Sequence, residues 1–155
     1  MLDSIREMTV GERLHIFPNL IDDSFELTSE DTVEYNCAAW VVGWKKKIID
    51  SYSYWWPEDI KRTHTVDSYA EVYKKYFGFD FCNNGDYEIG FDKIVLFADD
   101  DNMFKHAALR INEKLWTSKM GDYEDIEHGN LKSVSDGDYG KPVIFMKRKS
   151  NEQNQ

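Results

Sequence analysis

The segment Lys93 to Ala98 reads K-I-V-L-F-A, a continuous apolar run closed by the acidic turn Asp99-Asp100-Asp101-Asn102. A short apolar run bounded by turn residues predicts a β-strand. Phe104 to Ile111, a turn at Asn112-Glu113, Leu115 to Lys119 and Pro142 to Met146 continue it as a meander. A short helix is expected near Asp122 to Leu131, its Asp125 and Glu127 decorating a solvated face.

The first half reads differently. Asn36 is a competent N-cap for an almost wholly apolar segment, Cys37 to Trp44, which predicts a buried helix. Ser68 to Phe77 places Tyr69, Val72, Tyr73, Tyr76 and Phe77 at helical spacing, with Ser68 and Glu71 as a capping box and Gly78 as a stop. Between them, Tyr52 to Pro57 (Y-S-Y-W-W-P) is an aromatic loop. It is expected as core, substrate wall or partner surface, a buried Trp pair being the commoner case. Helices first and strands later predict an α+β fold rather than alternating βαβ units. One domain is expected over residues 1–146, followed by a polar tail at 147–155.

Composition narrows the function classes. The chain has 155 residues, with 5 Trp, 9 Tyr and 9 Phe, enough large rings to repay the entropy of ordering a core. Nineteen Lys and Arg stand against 29 Asp and Glu, a net charge of −10. That surface disfavours nucleic acid and anionic membranes and leaves a protein partner or a small substrate. No apolar stretch is long enough to span a bilayer, and Met1 to Val10 lacks the apolar core of a secretory signal. Two cysteines, Cys37 and Cys82, suit free thiols in the cytoplasm better than a disulfide scaffold.

Cys37 stands at the first turn of its expected helix, where free N–H groups favour a thiolate and can hold an oxyanion. His106 lies mid-strand, in phase with Phe104, Ala108 and Arg110, and an imidazole there is a candidate base. Ser118 falls opposite His106 if the intervening turn is three residues long and would orient the ring; a one-residue shift presents Thr117 or Lys119 instead. His128 with Asp125 is an alternative base pair. A metal site from Cys37, Cys82, His106 and His128 lacks the usual ligand spacings, so neither metal nor cofactor is expected. Cys82, beside Asn83-Asn84-Gly85, reads as an incidental thiol in a turn. The Asp99–Asp101 run lacks the glycine and distal Glu of a calcium loop.

The blocks Tyr35-Asn36-Cys37-Ala38-Ala39-Trp40, Trp55-Trp56-Pro57, Gly90 to Leu96, His106-Ala107-Ala108, Trp116 to Gly121 and Glu124 to His128 resemble the signatures of a family of uncharacterised bacterial proteins. The similarity runs in order over residues 17–146. The layout in turn resembles papain-like cysteine hydrolases of the NlpC type. That resemblance implies a papain-like domain: a helical N-terminal half whose buried Cys-bearing helix packs on an antiparallel sheet. It implies Cys37 as nucleophile, His106 as base and Ser118 as orienter, cleaving or transferring an amide or ester. Asn36, Trp40, Trp56, Trp116 and Lys119 are then the expected substrate or oxyanion surroundings. The chain departs from the pattern in having Ser at the third position and Asn36-Cys37 in place of Asp-Cys. Deamidation or transglutamination would use the same dyad. The competing expectation is a non-enzymatic acidic protein, a binding module or inhibitor, that captures a basic protein partner.

Overall fold

A computed structural model describes residues 4–21 and 24–150 of the chain. Its framework is a seven-stranded antiparallel sheet: β1 (Phe25–Leu27), β2 (Asp80–Cys82), β3 (Phe91–Ala98), β4 (Phe104–Arg110), β5 (Trp116–Lys119), β6 (Asp125–His128) and β7 (Lys141–Lys149). The spatial order is β1-β6-β5-β4-β3-β7-β2. The helices are short: α1 (Val10–Ile16), α2 (Cys37–Trp40) and α3 (Val66–Phe77).

The apolar run at residues 93–98 is explained by its place. β3 lies between β4 and β7 and is covered on both faces. Ile94, Leu96 and Ala98 join one core with Cys37, Ala38, Val66, Tyr69, Tyr73 and Ala107, under α2 and α3. Val95 and Phe97 join a second core with Ile5, Phe17, Leu20, Ala108, Trp116 and Tyr139. Alternation therefore sends every second residue from Ile94 to Ala98 into a different apolar layer, and over that run no position is left for a polar side chain facing water. The second layer is pinned at its N-terminal end by Glu124. Its buried carboxylate accepts the main-chain N–H groups of Ile5 (2.7 Å) and Arg6 (3.2 Å) and pairs with the Arg6 guanidinium.

Two register shifts occur at the end of β3. On the β4 side Phe97 pairs with His106 but Ala98 pairs with Phe104, leaving Lys105 as the extra residue. On the β7 side Leu96 pairs with Ile144 and Phe97 with Pro142, leaving Val143 extra. An extra residue reverses the inward and outward phase beyond it. Phe104 consequently packs in the helix-side core, stacked on Tyr69 at 3.8 Å, while His106 faces the other layer. The expected shared face of Phe104, His106, Ala108 and Arg110 is thus broken at Lys105.

The expectation of a papain-like α+β fold with a helical N-terminal half is overturned. The first half supplies three short helices and the two edge strands, and the sheet dominates the molecule. The Cys-bearing helix stops after four residues because Gly43 turns the chain left-handed at φ 82°. The expected helix at Asp122–Leu131 is strand β6, its residues paired from Asp125 to His128 with β5. Acidic residues there alternate as a strand; no helix N-terminus is present for them to favour. α3 starts at Val66 with Thr65, not Ser68, as its N-cap, and ends at Gly78. The expected polar tail begins too early, because Lys147 to Lys149 complete β7. Lys147 pairs with Glu88 and Arg148 with Asp92, which lets charged residues occupy a strand. Residues 151–155 of that tail lie outside the described residues.

Gly140 gives a direct check of this packing. It has φ 69°, and a Cβ there would lie 2.2 Å from the Ala98 carbonyl oxygen, at the shifted end of β3. Gly43 has φ 82° but open space around it. Gly140→Ala is expected to cost well over 2 kcal/mol in urea denaturation, and Gly43→Ala about 1 kcal/mol. Equal losses would contradict the close approach of the two segments.

Candidate functional site

Cys37 opens α2, with the Asn36 side chain accepting the N–H of Ala39. The other bonds of Asn36 tie that turn to Ile49: its Nδ2 donates to the Ile49 carbonyl and its Oδ1 takes the Ile49 N–H. The thiol is buried, and burial pushes its pKa up to about 11 despite the N–H groups of Ala107 and Ala38 and the charge of Lys119. At neutral pH it is therefore a neutral thiol.

His106 does not reach it. Its Nε2 bonds to Ser118 Oγ at 3.0 Å, and its Nδ1 is buried with no hydrogen-bond partner. The ring stacks on Tyr139 at 4.0 Å and meets Phe97 edge-on, on the layer away from the helices. Cys37 packs with Ala107, whose side chain turns to the helix side. One residue along β4 thus separates the two groups by the thickness of the sheet.

Ser118 meets His106 by a route other than the expected one. The pairs Leu109 with Thr117 and Arg110 with Trp116 leave residues 111–115 as a five-residue loop. Ser118 is therefore displaced two positions from a direct pairing, and an even shift keeps it on the same face. It also meets His128, 2.8 Å from Oγ to Nε2, while His128 Nδ1 lies 2.8 Å from the Asn130 carbonyl oxygen. These bonds fix the proton positions. The carbonyl can only accept, so neutral His128 carries its proton on Nδ1. Its Nε2 then accepts the Ser118 hydroxyl proton, and Ser118 accepts Nε2–H from His106. The chain runs His106 → Ser118 → His128 and leaves a bare lone pair on His106 Nδ1. Burial lowers both imidazoles: His128 to about 4, and His106 well below its ordinary value, with the charge of His128 adding to the effect.

The remaining expected residues are occupied structurally. Lys119 is fully buried, and its ammonium donates to the carbonyls of Thr32, Gly121 and Tyr123 at 2.6–2.7 Å. Asp125 accepts the Tyr35 hydroxyl at 2.8 Å on the helix side, whereas His128 faces the other layer, so the two do not form a base pair. Trp40 Nε1 donates to Thr117 Oγ1, and buried Trp56 donates to the Ile60 carbonyl. Trp116 lies beneath the Arg110 guanidinium. Among the described residues no group of three or more His, Cys, Asp or Glu side chains is placed to hold a metal ion. Nor is any described helix long and apolar enough to cross a membrane.

Sequence reasoning missed two features. His64 is half-buried, with the hydroxyls of Ser51 (2.9 Å) and Tyr69 (3.2 Å) on Nδ1 and the exposed Tyr52 ring stacked on it. At the β1 edge, Glu26 pairs directly with Glu127 across two strands. Two carboxylates facing each other in this way repel, and among the described residues neither forms an ion pair. Both line an open cleft of about 490 Å³ with Ser24, Phe25, Leu115, His128, Gly129 and Asn130. The only sequence signals were the short alternations F-E-L and D-I-E-H.

The buried imidazoles predict acid sensitivity. Above pH 6.5 histidine is neutral in both states and carries no penalty. As pH falls from 6.5 toward 4, the unfolded chain binds protons that folded His128 refuses, so stability declines. Urea titrations at pH 7 and pH 4 should differ by up to about 3 kcal/mol from His128 alone, and the difference should shrink in His128→Asn. Iodoacetamide at neutral pH should label Cys82 first, with Cys37 reacting only on unfolding; rapid labelling of native Cys37 would contradict its burial.

No curated protein and no solved structure matches the chain. A family model, described only as a domain of unknown function (DUF7689), matches residues 26–147, from Glu26 in the edge strand to Lys147 in β7. That span takes in the sheet, α2 and α3, and the chain belongs to that family.

Proposed function

We propose that this protein is a binding module that captures a basic segment of a protein partner. The observation that carries the reading is the Glu26–Glu127 pair, two carboxylate residues in direct cross-strand register with no ion pair to either among the described residues, at an open cleft of an acidic molecule. A Lys or Arg side chain from a partner would relieve that repulsion, and the net charge of −10 would steer a basic partner toward the molecule.

The hydrolase or acyltransferase implied by the papain-like resemblance requires Cys37 and His106 within hydrogen-bond reach. The sheet lies between them, the thiol is neutral, and the Ser118 hydroxyl is committed to His128. Deamidation and transglutamination need the same dyad, so the geometry supports none of the three.

The test uses an oligolysine peptide and the variants Glu26→Gln and Glu127→Gln. Each variant is expected to stabilise the free protein by a few tenths to about 1 kcal/mol, since it removes a repulsion. Each is also expected to weaken peptide binding several-fold at low salt, an effect that fades as salt is raised. Cys37→Ala should leave binding unchanged. Binding that is indifferent to both glutamates and to salt would sink the proposal.

A further inference from the structure

The surface next to this acid pair is the open edge of the sheet. β1 ends the strand order and is paired only with β6. The Thr28 N–H donates to the Asp125 carbonyl. Main-chain groups alternate sides along a strand, so Glu26 also turns its N–H and C=O toward β6, while Phe25 and Leu27 turn theirs outward. Among the described residues neither of those outward sets takes a main-chain partner. Free edges of this kind accept an added strand.

The side chains at this edge are sorted by face. Glu26, with Glu127 beside it, lies on the helix side, as does Thr117, which pairs with Glu127. Phe25 and Leu27 lie on the other side, half-buried against the second core, and the Arg13 guanidinium sits 5.3 Å over the Phe25 ring. A cation is therefore favoured on the side of the two glutamates, and an apolar side chain on the side of Phe25 and Leu27. The opposite end of the sheet has a different character. At β2, Lys74 covers the exposed Phe81 ring, and Asp80 pairs with Lys147. Of the two edges, β1 is the one whose carboxylate stands in register with a second carboxylate rather than with a lysine.

We propose that the basic partner docks as an extended strand on β1, with a Lys or Arg opposite Glu26, its cationic head reaching toward Glu127, and apolar residues on either side of it against Phe25 and Leu27. This rests on the binding reading above and adds its mode: the affinity comes from main-chain pairing, and the alternation of charge sets the register. A cation placed one residue out of phase would fall on the apolar side of Phe25 and Leu27 and lose both carboxylates.

The probe is a capped octapeptide of alternating Lys and Val, compared with a block peptide of the same composition. Two further analogues carry N-methyl groups on all Lys or on all Val residues, so that one set blocks the N–H groups facing β1 and the other blocks those facing solvent. The alternating peptide is expected to bind at least ten-fold more tightly than the block peptide and to slow hydrogen exchange at Phe25 and Leu27. One N-methyl analogue should lose binding at least ten-fold while the other retains it. If both analogues bind like the parent and exchange at Phe25 and Leu27 is unchanged, strand addition is overturned while capture of basic segments stands. If no basic peptide binds in a salt-sensitive way, both readings fall.

Discussion

Everything in this molecule is organised around a strand that belongs to two cores at once. Side chains of β3 alternate between the helix-side layer and the layer built by the N-terminal segment and Tyr139. Neither layer is thick, and burial on both faces gives the sheet its stability: each fully buried Ile, Leu, Val or Phe contributes about 1.5–3 kcal/mol. The arrangement also divides the chemistry. From His106 onward, side chains on adjacent β4 positions lie in different compartments, and no rotamer change brings them together.

The polar groups inside this sandwich are almost all paired, as burial requires. Lys119 spends its three protons on three carbonyls, Asp125 takes the Tyr35 hydroxyl, and Glu124 holds the N-terminal segment. These bonds fix loops and the N-terminal segment against the sheet. Among the described residues the exceptions are Arg110 Nε and His106 Nδ1, the latter the open end of an otherwise satisfied chain through Ser118 and His128. The cost of that arrangement is borne as a low proton affinity, because burial opposes charging either imidazole and the charge of His128 further opposes charging His106. At the surface the imbalance has the opposite sign. Glu26 stands in register with Glu127, and among the described residues neither forms an ion pair.

How much of this was legible in the sequence depends on how local the signal was. The strand at 93–98 and the amphipathic α3 were readable because composition and period speak directly within a window of ten residues. The run Cys37–Trp44 looked like a longer buried helix because its apolar character persists past the point where Gly43 turns the chain. Asp125-Ile126-Glu127-His128 looked helical because four residues are too few to separate a period of 2 from one of 3.6. The aromatic loop was read as core, substrate wall or partner surface; Trp56 is core, Trp55 is half-buried, and Tyr52 and Tyr54 are exposed.

The sequence by itself determined that the chain has a strand too apolar to face water, two thiols, few histidines and a surplus of ten negative charges. Those properties follow from residue identity alone. Which residues meet was decided by tertiary structure. One extra residue at Lys105 and a five-residue loop at 111–115 set the phase of β4 and β5, and phase alone puts His106 with Ser118 and His128 rather than with Cys37. Pairing of β1 with β6, about 100 residues apart in the chain, likewise put Glu26 opposite Glu127. Period-2 geometry makes every side chain's compartment depend on register, and register is set by long-range pairing that no local window contains.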